Sequence, residues 1–262
     1  MGDIVTLTTD FGPGDYVGAM KGTILSIDPG ATIVDIDHNV RAHDVAHGAY
    51  VLYAAVPHFP FAVHVGVVDP GVGTARRGIV IVAEGALLVG PDNGLLVPAA
   101  KRLGLKEVRE ITNRELGRGT VSNTFHGRDL FGPVAAHLLT GTKVRDVGRA
   151  VKDFVDLDFG TPRARKKGIE GRVITHDRFG NLITNIPRSQ AERRWSFGDR
   201  LAIAVTGYEM TVPFVRTYGE VEPGELLATI SSSGFVEIAK REASAAGQLG
   251  AGPGATVLLE DA

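Results

Sequence analysis

Cysteine is missing from all 262 residues. That one absence removes disulfides, thiolate metal centres, iron–sulfur clusters and cysteine nucleophiles. A charge excess is missing too: 28 Lys and Arg stand against 30 Asp and Glu, a formal net charge of -2. Nothing here offers the basic footprint that nucleic acid requires, and no run of like charge forms a tail. The densest basic stretch, Arg163, Arg165, Lys166 and Lys167, has no interleaved aromatic residues and reads as a solvated linker. Long apolar runs are also lacking. Stretches such as Gly78-Ile79-Val80-Ile81-Val82-Ala83 are strand-sized, far short of a membrane span. No basic segment leading into an apolar one opens the chain. The expectation is a cytoplasmic protein with neither a nucleic-acid nor a membrane partner.

What is present reads as two layers of organisation. Residues 1–158 alternate strands and helices: strands over 4–9, 32–37, 62–68, 78–83, 86–89 and 108–111, helices over 16–27, 43–56, 95–103 and 129–139. Such alternation predicts an α/β domain with a mostly parallel central sheet. Two Pro/Gly turns and the basic cluster mark a linker at about 159–167. From 168 to 262 the pattern becomes short strands over 171–175, 182–186, 200–205, 209–215, 226–231 and 256–259, with a short helix expected over 236–246. A smaller, barrel-like all-β domain fits that spacing.

Ligands of α/β sheets bind at the carboxyl ends of parallel strands, and three polar clusters fall at such places. Asp10 closes the first strand. Asp69 closes the third, in Asp69-Pro70-Gly71-Val72-Gly73-Thr74-Ala75-Arg76. His126 stands in Thr124-Phe125-His126-Gly127-Arg128-Asp129, just ahead of a helix. The two loop glycines permit a tight reversal that would return Arg76 to Asp69. An Asp, an Arg and a His so placed can hold and polarise one water; a loop salt bridge without chemistry fits the same residues equally well. Asp10 is placed to accept both hydrogens of a ribose diol, or to cap the next helix, a part Asp15 can also play. Gly12-Pro13-Gly14 with Gly18 has the wrong spacing for a dinucleotide fingerprint and is read as a decoy.

His43 and His47 stand four apart, a zinc-ligand spacing on a helix, with Asp37 and His38 nearby. Surface or helix-end histidines are the simpler reading; a metal-dependent hydrolase built on His43 and His47 is kept as an alternative. In the second domain, Asp177 in His176-Asp177-Arg178-Phe179-Gly180-Asn181 can pair with an ammonium. Ser232 and Ser233, next to Gly234, can hold a carboxylate. Together they suit a zwitterionic amino acid, although Asp, Asn, Ser and Gly are also the ordinary residues of turns.

At these residues the chain closely resembles the S-adenosyl-L-methionine hydroxide adenosyltransferases, relatives of the fluorinating and chlorinating enzymes that use the same substrate. The matching segments are Thr8-Thr9-Asp10-Phe11-Gly12, the Asp69-to-Arg76 loop, Gly90-Pro91-Asp92-Asn93-Gly94, Thr124-to-Asp129, Asp177-to-Asn185 and Ser232-to-Ala239. They run in order over nearly the whole chain. The resemblance implies hydrolysis of S-adenosyl-L-methionine to adenosine and L-methionine, by a water-derived hydroxide attacking the ribose 5′ carbon in line with the sulfur. It implies Asp69, Arg76 and His126 as the water-activating trio. Asp10 and Phe125 would bind the substrate, with Asp10 on the ribose hydroxyls. Asn181 would take the adenine, Asp177 the methionine ammonium, and Ser232 and Ser233 its carboxylate. It further implies a homotrimer with active sites between the N-terminal domain of one subunit and the C-terminal domain of the next. The halogenating relatives carry a tyrosine where this chain has Asp69, and a fixed negative charge there would repel halide and favour water. Because a sulfonium leaves as a neutral thioether, neither metal nor cofactor is expected. A protein that binds S-adenosylmethionine or adenosine without significant turnover is the other alternative.

Overall fold

The structure is a computed structural model that describes residues 2–262. The chain divides into two compact units, Met1–Asp158 and Phe159–Ala262, the first α/β and the second all but wholly β.

In the first unit β1 (Ile4–Thr9), α1 (Asp15–Ile27), β2 (Thr32–Asp37), α2 (Val45–Ala55) and β3 (Val63–Val67) come in succession. They are followed by β4 (Gly78–Ala83), β5 (Ala86–Pro91), α3 (Val97–Arg102), β6 (Leu105–Glu110), a π-helical turn (Gly127–Phe131), α4 (Gly132–Leu139) and the two-residue β7 (Ala150–Val151). The sheet order is β2-β1-β3-β5-β4-β6-β7. Pairing is parallel across β2, β1, β3 and β5 and antiparallel for β4, β6 and β7. β1 is rich in β-branched residues and buried on both faces from Val5 to Thr9, as a central strand covered by helices should be. The core gathers Leu7, Met20, Ile24, Val65, Val89 and Phe131 between the sheet and helices α1 and α4.

In the second unit β8 (Arg163–Ala164) and β9 (Gly168–His176) are followed by β10 (Leu182–Pro187), α5 (Arg188–Ala191), β11 (Arg200–Val205) and β12 (Tyr208–Pro213). β13 (Leu226–Ile230), β14 (Phe235–Lys240), α6 (Ala245–Leu249) and β15 (Thr256–Asp261) complete it. The order is β12-β11-β15-β9-β10-β14-β13, all antiparallel, with β8 beside β9. A bridge between Phe214, just past β12, and Ala228 of β13 draws the two edges together into a nearly closed barrel. Arg165 of the basic cluster is ion-paired with Glu170.

Two expectations need correction. The helix expected over 236–246 is mostly strand: Phe235–Lys240 pairs with β10 on one side and β13 on the other, and only Ala245–Leu249 is helical. Val236 and Ile238 alternate into the core, and two hydrogen-bonded neighbours outweigh a weak helical spacing. The helix expected from His43 begins at Val45, where the Asp44 side chain accepts from His47 N at 2.9 Å and caps it.

Candidate active site

Strand register creates the site in the α/β unit. Thr9 of β1 stands opposite Val67 of β3, so the segments carrying Asp10 and Asp69 leave the sheet side by side at its carboxyl edge. Beyond Asp69 the chain turns at once. Val72 N donates to Asp69 O at 3.2 Å, and Thr74 donates to Gly71 O through N at 3.1 Å and Oγ1 at 2.7 Å. Gly73 has φ 77°, and a Cβ there would lie 2.3 Å from the Asn123 carbonyl oxygen, so the loop also abuts the strand of chain leading to His126.

These turns return Arg76 to Asp69. Arg76 Nε donates to Asp69 Oδ1 at 3.0 Å and Oδ2 at 2.9 Å, and Nη2 adds a contact to Oδ2. The same Nη2 reaches His126 Nδ1 at 2.6 Å, and the guanidinium rests 5.1 Å from the Phe131 ring centroid. The Asp69 and Arg76 side chains are both nearly buried. A guanidinium can only donate, so His126 Nδ1 accepts and the neutral ring carries its hydrogen on Nε2. Burial, reinforced by the positive Arg76, holds the His126 imidazole below its ordinary range, against the pull of Asp69 and Asp129. Near neutral pH the ring is thus an uncharged donor at Nε2. Behind it the fully buried Asp129 gathers Arg118, Arg128 and the Ser122 N–H and braces the segment.

Asp69, His126, Asp10 and Phe125 share a cavity of about 290 Å³. Three rings form one wall: Phe125 meets Phe11 edge-on at 5.6 Å and Tyr16 at 5.0 Å between centroids. A Cβ at Gly127 would sit 3.2 Å from the Phe11 ring. Asp10 does not cap α1, whose N-cap position is Gly14. Instead its Oδ2 accepts from His43 N at 2.9 Å, while Oδ1 accepts from no described residue. Phe11, Tyr16 and His43 were not expected among the lining residues. The two aromatics were visible beside Asp10 in the sequence, but the left-handed backbone of His43, φ 64°, had no signal there.

The zinc-ligand spacing comes apart in three dimensions. His43 precedes α2 and faces the cavity, whereas His47 lies in the helix and uses Nδ1 to accept from Arg41 N at 3.1 Å. Among the described residues no group of three or more His, Asp or Glu side chains is placed to hold a metal ion.

The β unit holds its own cavity, of about 800 Å³, lined by Asp177, Phe179, Asn181, Tyr218, Lys240 and Arg241 among others. Asp177 organises its own turn: Oδ1 accepts from Phe179 N and Asn181 N, each at 2.9 Å, and Oδ2 from Asn181 Nδ2 at 2.9 Å. Asn181 is buried, with its amide oxygen and one N–H left for a planar partner. Ser232 and Ser233 are not among the residues lining this cavity. They sit in the turn between β13 and β14, Ser232 exposed and Ser233 buried with Oγ 2.8 Å from Ser231 Oγ. An unanticipated pair borders the cavity: Tyr218 O–H donates to Glu237 Oε1 at 2.6 Å. Burial pushes the Glu237 carboxyl up, the tyrosine hydrogen bond opposes, and Asp177 adds to the rise.

Residues 5–148 match the SAM hydroxide adenosyltransferase N-terminal domain and residues 171–258 the corresponding C-terminal domain. The chain is similar to an (R)-S-adenosyl-L-methionine hydrolase of Salinispora tropica, 42% identical over 95% of each chain. It is also similar to one of Methanocaldococcus jannaschii, 42% identical over 91% of this chain and 88% of the other. Among solved structures, an uncharacterized conserved protein from Thermotoga maritima superposes with a TM-score of 0.92 at 38% identity, covering 98% of this chain and 99% of that one. With both domain types matched in order over most of its length, the chain belongs to the SAM hydroxide adenosyltransferase family.

Proposed function

We propose that this chain is an S-adenosyl-L-methionine hydrolase that forms adenosine and L-methionine. The observation that carries the reading is the unbroken Asp69–Arg76–His126 hydrogen-bonded trio at the wall of a cavity that also holds Asp10 and three aromatic rings. Support also comes from hydrolases 38–42% identical to the chain over nearly its full length.

In this mechanism a water sits against Asp69 and His126. Arg76 occupies both Asp69 oxygens but only part of their lone pairs, because a carboxylate has about four acceptor sites. One of those left takes a water hydrogen. The His126 Nε2–H donates to the water oxygen and stabilises hydroxide character, so the base is Asp69 rather than the imidazole. The oxygen attacks the 5′ carbon as the carbon–sulfur bond breaks with its electron pair going to sulfur, and the water proton passes by way of Asp69 to solvent. A cationic sulfonium leaves as a neutral thioether, so no acid is required on the leaving side. Holding oxygen, carbon and sulfur in line supplies roughly 7–11 kcal/mol of the barrier. Asp10 Oδ1 faces the ribose hydroxyls and Phe125 the nucleoside.

The proposal extends to the assembly and domains: two domains, 1–158 and 168–262, in a cytoplasmic homotrimer. Asp177, Asn181, Ser232 and Ser233 of a neighbouring copy would complete each site at the adenine and amino-acid ends. With Asp177 engaged in its own turn, the Asn181 amide is the better-prepared contact, and it suits an adenine edge.

The experiment is substitution of Asp69 by Ala, with product analysis beside calorimetric binding of S-adenosylmethionine. Hydrolysis falls by about 10²–10⁴-fold while binding persists. Undiminished turnover would remove Asp69 from the mechanism, and binding by the native protein without any product would favour the non-catalytic alternative. Full activity after exhaustive chelation is expected; loss that returns with added metal would revive the metal-dependent reading.

A further inference from the structure

β1 and β2 run parallel, and their register slips by one residue: Leu7 stands opposite Asp35, but Thr8 opposite Asp37. Irregularities of this kind collect beside functional sites, where they re-aim the side chains that follow. The residue that follows here is His38, whose side chain is 10% exposed. Its Nδ1 is 2.9 Å from Thr9 Oγ1, and its Nε2 is 3.0 Å from Asp35 Oδ1. The other oxygen of Asp35 holds Lys21 Nζ at 2.5 Å.

The approach of His38 Nε2 to Asp35 is not aligned as a hydrogen bond, but a lone pair held that close to a carboxylate would be repelled, so Nε2 carries the hydrogen. Thr9 Oγ1 in turn accepts from Phe11 N at 3.3 Å. With a neutral ring the hydrogens run one way, from Phe11 N–H to Thr9 and from Thr9 O–H to His38 Nδ1, while Nε2–H stands in the field of Asp35. The backbone makes parallel ties: Gly12 N donates to His38 O at 2.7 Å, and Val40 N to Thr9 O at 3.3 Å. His43 N holds Asp10 Oδ2 a few residues on. The loop carrying Asp10 is thus fastened to residues 38–43 on both sides of the carboxylate. Thr9, His38, Asp35 and Lys21 do not themselves line the cavity, whereas Asp10 and Phe11 do.

We infer that His38 is a positioning residue for the nucleoside end of the site. Through Thr9 it sets Asp10 and Phe11 in the orientation that lets the Asp10 carboxylate accept both hydroxyls of a ribose diol. The inference rests on the assignment of Asp10 to the ribose. A merely structural role for His38 would weaken every ligand alike; a positioning role erodes the preference for a diol.

The test is calorimetric affinity of the full-length protein for adenosine and for 2′,3′-dideoxyadenosine. The native protein prefers adenosine by about tenfold or more, as befits hydrogen bonds to a charged acceptor, and Asp10→Ala abolishes the preference. His38→Leu and Thr9→Val each reduce the ratio by about fivefold or more. His38→Asn, whose amide keeps a hydrogen-bonding atom near the Nδ1 position, and Thr9→Ser retain it. Should His38→Leu fail to fold, the near-isosteric Thr9→Val reads the same link. A ratio lost in Asp10→Ala but intact in Thr9→Val and His38→Leu overturns the positioning role alone. A ratio near one in the native protein, or unchanged in Asp10→Ala, overturns the ribose assignment and this inference with it.

Discussion

At the scale of single residues, two histidines, one half-buried and one wholly buried, are held neutral by different surroundings. His126 is kept neutral beside a guanidinium and serves as a donor. His64, in the middle of β3, is wholly buried with Nδ1 2.8 Å from Thr6 Oγ1. Burial lowers its pKa from the ordinary 6.5 to about 4. The folded protein therefore holds this ring neutral where the unfolded chain would protonate it, and stability falls as pH drops from about 6.5 to about 4. The loss attributable to His64 is about 3 kcal/mol. Urea unfolding at pH 7 and pH 4 should show the native protein losing about that much more than His64→Leu. Equal losses in the two proteins would mean that the ring is solvated or charged when folded. The residues of the trio were legible in sequence because Asp, Arg and His stood at strand ends with glycines between. The His126 tautomer was not, because it depends on which nitrogen Arg76 reaches.

At the scale of elements, the loop from Asp69 to Arg76 decides whether the trio exists. Gly73 needs φ 77°, and its missing Cβ makes room for the Asn123 carbonyl. Gly73→Ala should cost about 1–3 kcal/mol and lower turnover by displacing the His126 segment. Gly85→Ala is the control, because Gly85 has φ 70° with nothing within 4 Å of the added Cβ. Thermal unfolding and turnover of both variants check the prediction; identical behaviour would show that strain rather than the clash governs the loop. Elements with strong β-branched runs or Pro/Gly stops, such as β1, β2 and α1, were readable within a residue or two. β14 was not: Val236-Glu237-Ile238-Ala239 carries both periods, and only its pairing with β10 and β13 decides. His43 and His47, read first as surface or helix-end residues, are divided by the helix start that lies between them, which only the Asp44 cap reveals.

At the scale of the whole molecule, the order α/β then β was plain from the change of rhythm near residue 160, whereas the bridge that nearly closes the second unit links Phe214 to Ala228, a long-range contact with no local mark. The proposed assembly makes its own prediction. The particle should have three times the 27.7 kDa mass of the chain by sedimentation equilibrium. Asp69→Ala and Asn181→Ala chains, each inactive alone, should regain part of the activity when unfolded together and refolded as a mixture. Monomeric mass, or no recovery from mixed trimers, would place every contact for one substrate within one chain.

The central claim is chemical: solvent oxygen displaces sulfur from the 5′ carbon. Incubation with S-adenosylmethionine in oxygen-18 water reads it directly. The account predicts one heavy oxygen in adenosine and none in methionine. Label in homoserine or methanol would place the attack on a different carbon of the sulfonium and contradict it.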